Sequence, residues 1–193
     1  GGKDSMSGTF NDISVPPTLI TFAVTTEKTE NIISSEFKKE GSYVYLIKHT
    51  PKENYVPNYE QLKHNFDAVR KHILNKDILA ASTVKFGGIA EALCKMSFGN
   101  KIGVSVETKE PVFDLSIGSI LVESAVEIKE DNFILLGKTT SDGMIAINKE
   151  TVSMEEAIST WCERYNKIYP MTTDEDGKKI ETPLYTSKET PKA

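Results

Sequence analysis

Cysteine is nearly missing from this 193-residue chain, and neither Cys94 nor Cys162 has a second cysteine or a histidine at metal-ligand spacing. A disulfide framework and a Cys/His metal site therefore have no basis, and both cysteines read as small buried hydrophobes in a reducing compartment. No apolar run approaches the ~18 residues that a membrane span needs. No leader with a basic start and an apolar middle opens the sequence, so a cytoplasmic location is expected. An excess of positive charge is lacking too: Lys+Arg 23 against Asp+Glu 28 gives a net charge of −5, which argues against nucleic acid as the partner. No Ser/His/Asp constellation is recognisable. Any catalysis would then work by positioning and charge stabilisation, the mode of phosphoryl transfer.

The patterning that is present describes a single unit. Val15-Pro16-Pro17 breaks any helix and launches residues 18–25 (Thr-Leu-Ile-Thr-Phe-Ala-Val-Thr), nearly all apolar or β-branched, which read as a central strand. Residues 42–49 read as a second strand reached through Gly41. Leu62, Phe66, Val69 and Ile73 form one stripe of an amphipathic helix capped by Asn58, leaving His64 and His72 to solvent. Ile89, Leu93 and Met96, flanked by Ala90 and Cys94, mark a second helix after Gly87-Gly88, stopping at Asn100. Residues 104–107 and 117–122 read as strands, and residues 133–139 and 144–148 as a hairpin turned by Ser141-Asp142-Gly143. Ser153 and Glu156 form a capping box for a last helix whose face is Met154, Ile158, Trp161, Tyr165 and Ile168, with Trp161 as its docking anchor.

The fold class expected is α+β: a mixed sheet of about six strands with three main helices over residues 10–169. From Pro170 the apolar content collapses, so residues 170–193 read as a linker.

Two segments carry candidate chemistry. In Gly1-Gly2-Lys3-Asp4-Ser5-Met6-Ser7-Gly8 the glycines admit a close anion, Lys3 can neutralise phosphate, Asp4 can hold Mg²⁺, and Ser5 and Ser7 can donate to phosphate oxygens. The spacing is not that of a Walker loop, and a solvated turn would use the same glycines. A sequence starting inside its best motif is expected to be a piece of something longer. In Thr83-Val84-Lys85-Phe86-Gly87-Gly88, free N–H groups at a helix start, Lys85 and two glycines suit an anion. Tight packing of that turn on a neighbour is the alternative reading.

Gly1-Gly2-Lys3-Asp4-Ser5-Met6-Ser7 followed by Thr21-Phe22-Ala23-Val24 resembles the domain junction of the PurM/PurL superfamily, where a GG-containing loop leads into an FAV strand. Residues 86–98 resemble the DGGL…LAEMAF helix of phosphoribosylformylglycinamidine (FGAM) synthases. Leu136-Gly137-Lys138 and the Trp161 helix match later elements of the same family. The resemblance implies a PurM C-terminal-like domain from the second domain pair of a long single-chain FGAM synthase. Residues 1–9 would join it to a PurM-like N-terminal domain, and residues 170–193 would lead to a glutaminase domain.

It also implies ATP and Mg²⁺ as cofactors, a phosphorylated ribonucleotide as substrate and possible pairing of two copies through their sheets. Where proteobacterial relatives read His-Asp-Arg-Ser-Asp, this chain has Ser82-Thr83-Val84-Lys85-Phe86. Thr83 replaces a Mg²⁺-binding carboxylate and is a poor metal ligand, while Lys85 is placed to hold phosphate directly. Other members of the superfamily (AIR synthase, selenophosphate synthetase, thiamine-phosphate kinase, hydrogenase-maturation proteins) and a non-catalytic scaffold domain of the long enzyme are the rival readings.

Overall fold

Four short strands come first in the computed structural model, which describes residues 2–5, 7–166 and 168, with the backbone alone at Lys3, Asp4, Ser5 and Phe10. The strands are β1 (Gly2–Ser5), β2 (Gly8–Phe10), β3 (Ile13–Val15) and β4 (Thr18–Thr21). β2 and β3 form a tight hairpin turned at Asn11, whose φ is 53°, and β1 pairs antiparallel with β4 outside it, Lys3 opposite Ile20.

The opening segment is thus a paired strand rather than a loop. The apolar run after Pro17 is not a central strand either: β4 ends at Thr21 and has β1 as its one ladder partner. Leu19 is 76% and Val24 87% exposed. β-branched content drew the backbone into a strand, but no layer of the described chain covers its faces.

The main sheet has seven strands. β5 (Tyr43–Ile47) follows Gly41 and precedes α1 (Tyr59–Leu74); β6 (Ile78–Thr83) leads into α2 (Gly88–Phe98). Then come β7 (Gly103–Val106), β8 (Ile120–Ser124), β9 (Ile134–Thr140), β10 (Met144–Ile147), β11 (Glu150–Ser153) and α3 (Met154–Asn166). The spatial order is β11-β10-β7-β9-β5-β8-β6, with β7 and β10 parallel and the other pairs antiparallel. The expected α+β class holds, with two further strands, β6 and β11, that the sequence pattern did not announce.

The side-chain alternation of a strand assigns each face its cover. Val44, Leu46, Leu121, Val104 and Ile145 meet Ile89, Leu93 and Met96 of α2 and Met154 of α3. Tyr45, Ile47 and Val122 meet Ala68 and Val69 of α1 on the other face. A bulge between Ile78 and Ala80 sends Ile78 to the α1 layer and Ala80 to the α2 layer, although even spacing would put both on one face.

Three expectations are corrected. The buried stripe of α1 is Asn65, Ala68, Val69 and His72, rotated by one residue from the expected one, so Phe66 is 46% exposed. His72 is accordingly buried, not solvated: its Nδ1 lies 2.8 Å from Asp77 and its Nε2 3.1 Å from Glu130. Polar residues are admitted to this stripe because partners wait for them; Asn65 donates to the Lys48 carbonyl at 3.0 Å. Residues 133–148 do not form a hairpin, since β7 lies between β9 and β10 and pairs with both. The hairpin at that edge is β10–β11, turned at Asn148 with φ 57°.

Other boundaries follow local chemistry. Asn58 accepts from the Gln61 N–H and caps α1, and Ser153 accepts from the Glu156 N–H at 3.2 Å to start α3. β8 begins three residues later than the pattern suggests, after Gly118 bends the chain at φ 88°. Trp161 contacts Phe98 at 5.7 Å between ring centroids yet stays 57% exposed, so it anchors α3 with part of its ring only. Cys94 and Cys162 are free and half-buried, and burial pushes the Cys94 thiol up. The segment expected to be a linker, 170–193, lies outside the described residues.

The connection before β5 is held by a buried carboxylate. Glu123 on β8 is fully buried and accepts from the backbone N–H of Lys38 at 2.7 Å and of Lys39 at 2.9 Å. Glu123→Leu leaves both donors unpaired and is expected to cost about 2–4 kcal/mol, with Glu123→Gln nearer 1–2 kcal/mol because an acceptor survives. Urea unfolding of the three proteins tests this; equal stability of Glu123→Leu and wild type would refute it.

Earlier in the same connection, Asn31, the Lys28 N–H and then Arg70 donate to Glu27 and hold its carboxyl down to about 2 from an ordinary 4.5. A depressed folded-state value contributes stability above pH ~4.5 that is lost as pH falls toward ~2. The stability gap between wild type and Glu27→Gln should therefore shrink across that window. A gap independent of pH would show that the carboxylate's charge is irrelevant.

Candidate functional site

Strand directions gather the site. β5, β6, β7 and β10 run the same way, so their carboxyl ends, Ile47, Thr83, Val106 and Ile147, share one edge of the sheet. The chain leaves β5 there toward the start of α1 and leaves β6 there toward the start of α2. The long β7–β8 connection, residues 107–119, crosses the same edge. Four clefts open along it, of about 820, 600, 340 and 200 Å³, and residues of that connection line all four. The carboxyl edge of strands in an open α/β sheet is where ligands bind as a rule.

The turn into α2 carries the second predicted anion segment. Thr83 ends β6, and Lys85 is exposed with no carboxylate in ion-pair range among the described residues. Gly87 caps the helix at φ 89° and Gly88 follows at φ 67°. A Cβ on Gly88 would lie 2.4 Å from the Val112 oxygen, and one on Gly87 would lie 2.6 Å from Glu91 Cβ. The Ala90 N–H donates to Val112 at 2.9 Å and the Gly88 N–H to Lys85 at 3.0 Å. Two N–H groups of the first turn are therefore spent within the protein, and Gly88 is required by packing against residues 112–113. Lys85 remains the cation that this turn can offer an anion.

The opening segment supplies less. Gly2, Lys3, Asp4 and Ser5 lie in β1, and Ser7 is exposed. The side chains of Lys3, Asp4 and Ser5, and the whole of Gly1, lie outside the described residues. Among the described residues no three His, Cys, Asp or Glu side chains cluster as metal ligands. The α2 turn has a hydroxyl at Thr83 but no carboxylate, a donor set that does not fit Mg²⁺.

The edge also holds residues that the sequence pattern did not single out. Lys48 pairs with Glu110 at 2.6 Å, bridging the end of β5 to the β7–β8 connection. His49 is buried, accepting at Nε2 from the Asn58 N–H (3.0 Å) and donating from Nδ1 to the Ile117 carbonyl (2.7 Å). Those two bonds fix the neutral Nδ1–H tautomer. Its own N–H donates to Ser119 Oγ, which meets Ser116 Oγ at 2.7 Å. One imidazole thus ties the end of β5, the cap of α1 and the β7–β8 connection together. The signal in the sequence was the length of that connection, since long irregular stretches in compact domains tend to be functional.

No family model matches the sequence. In fold the chain is similar to T. maritima PurL complexed with AMPPCP, with a TM-score of 0.55 and 11% identity over 67% of this chain and 27% of that one. It is similar to phosphoribosylformylglycinamidine synthase II from T. maritima (0.55, 12%, 67% and 28%) and to T. maritima PurL complexed with FGAR (0.55, 9%, 73% and 30%). The chain spans less than a third of each of those proteins. What it shares with them is a PurM-like fold. No helix of the described residues is long and apolar enough to cross a membrane.

The packing role of Gly88 yields a measurable outcome. Gly88→Ala forces a left-handed alanine against the Val112 carbonyl and is expected to destabilise the chain by about 1–3 kcal/mol whether or not a ligand is present. Thermal unfolding without nucleotide tests it; an unchanged midpoint would return Gly88 to a purely ligand-facing role.

Proposed function

We propose that this chain is the C-terminal PurM-like domain of the second domain pair in a long FGAM synthase. Its parent would be a ligase forming a C–N bond with ATP and with glutamine as amido donor. The observation that carries the reading is the Gly1-Gly2-Lys3-Asp4-Ser5-Met6-Ser7 string running directly into a chain of PurM-like fold. The exposed apolar residues of β4 and beyond, Leu19, Ile20 and Val24, support a neighbouring domain: they would be covered by the PurM-like N-terminal domain that residues 1–9 join. Residues 170–193 would lead toward the glutaminase domain.

In the parent reaction the glycinamide carbonyl oxygen of formylglycinamide ribonucleotide takes the γ-phosphoryl group of ATP, and ADP leaves. Ammonia from glutamine then adds to the activated carbon, and phosphate departs with that oxygen. The part this chain would play is electrostatic: Lys3 and Lys85 would face phosphate oxygens, with Ser5 and Ser7 donating to them. No step is assigned to Mg²⁺ at Thr83, whose turn lacks the carboxylate. That lack favours a second reading, in which the domain completes a structural nucleotide site of the enzyme rather than its catalytic one. A different ATP-dependent activity of the PurM superfamily would use the same fold.

The test uses the full-length parent protein. Formation of ADP dependent on formylglycinamide ribonucleotide and glutamine is expected there, and none from this chain alone. Lys85→Ala should weaken nucleotide retention by about tenfold or more, the loss of one charge-assisted contact. If turnover falls as well, the site is catalytic; if retention falls and turnover holds, it is structural. A parent without that substrate-dependent ADP formation would overturn the assignment.

A further inference from the structure

The cleft of about 820 Å³ at the carboxyl end of β5 has a lining unlike that of the α2 turn. Its walls are the segment following His49 and residues 113–117 of the β7–β8 connection. Among the described residues no lysine or arginine lines it, so it does not suit a phosphate. Two aromatic rings do: Tyr55 is 91% and Phe113 74% exposed, and neither makes a ring contact among the described residues. Between Leu115 and Phe113 sits Asp114, a carboxylate with no ion pair or hydrogen bond among the described residues.

Tyr55 is presented at some conformational expense. Asn54 and Tyr55 both stand in the left-handed region, at φ 56° and 59°. That region is uncommon for non-glycine residues, and a bulky ring there is an outlier that the surrounding chain must impose. The Lys52 N–H donates to the Val56 carbonyl at 2.8 Å and closes the loop beneath the ring. The opposite wall is held just as firmly, because the His49 imidazole that receives the Asn58 N–H also donates to Ile117. The backbone of both walls is therefore tied within the protein by hydrogen bonds, which lowers the cost of ordering them around a ligand.

The geometry points to a ring-binding site: the cleft takes the uncharged heteroaromatic portion of a nucleoside, stacked against Tyr55 and Phe113, while Asp114 accepts from ring N–H or ribose O–H groups. Aromatic faces recognise the flat surface of a base, and a lone carboxylate without a cation selects a ligand rich in donors and free of negative charge at that point. Lys85 does not line this cleft, and the site does not depend on the enzyme assignment.

Adenosine serves as the probe, titrated into this chain while backbone amide NMR signals are followed. Signals of residues 54–57 and 113–117 should shift. Tyr55→Ala and Phe113→Ala should each weaken binding about tenfold or more, and Asp114→Asn about fivefold. Lys85→Ala should leave adenosine binding unchanged. All four side chains are exposed, so the variants keep their fold. His49→Ala tests the shared pin: weaker binding is expected with Tyr55 and Phe113 intact. Absence of shifts at millimolar adenosine, equal shifts with ribose 5-phosphate, or binding indifferent to Tyr55→Ala would each overturn the proposal. None of these results bears on whether the parent protein makes ADP.

Discussion

Val44 and Leu46 enter one apolar layer while Tyr45 and Ile47 enter the other, so the five residues of β5 hold the two helical covers of the sheet in register. Burial on both faces leaves this strand no freedom to slip, because a shift by one residue would exchange the contents of both layers. Tyr45 adds a polar constraint by accepting the Ile128 N–H at 2.8 Å from inside the core, and its phenol is pushed up mainly by burial. Lys138 from β9 lies 4.4 Å over the neighbouring Tyr43 ring. With β5 fixed, the position of its carboxyl end is fixed, and Lys48 and His49 leave it at a defined place.

The carboxyl edge inherits that rigidity. Its connections are tied mainly through polar atoms: His49 to Asn58, Ile117 and Ser119, Lys48 to Glu110, Ala90 to Val112. Each such bond replaces water that an irregular segment would otherwise need. The result is a set of clefts with different chemistry along one edge, one lined by Lys109 and Lys149 and another by Tyr55 and Phe113.

Much of the architecture was legible because burial and period agree. The stripe of α2, the strands around Tyr43 and Val104, and both N-caps follow from residue spacing alone. What the pattern could not convey was the partner of each surface. Residues 18–25 are apolar enough for a core strand, yet apolarity does not say which layer covers it. The rotated stripe of α1 escaped because Asn65 and His72 look like solvent residues until the Lys48 carbonyl, Asp77 and Glu130 are brought against them. β6 was hidden by its alanines and its bulge, and β11 by its brevity. At the site, the diglycine before α2 was visible, but its packing against Val112 was open only to three-dimensional inspection, as was the role of His49.

The insertion of β7 between β9 and β10 constrains how the chain assembles. Ser141 to Gly143 could close a local hairpin cheaply, but the native arrangement forbids it, since β10 finds its place only against β7, which precedes the whole β8–β9 region. The parallel β7–β10 pair is a non-local contact whose closure entropy must be met before its hydrogen bonds form. β9 and β10, neighbours in the chain, therefore forgo pairing with each other. Gly137 makes the close β7–β9 pairing possible: the Ser105 oxygen lies 2.0 Å from where a side chain would begin, so any larger residue there would push β9 away from β7 and undo the insertion.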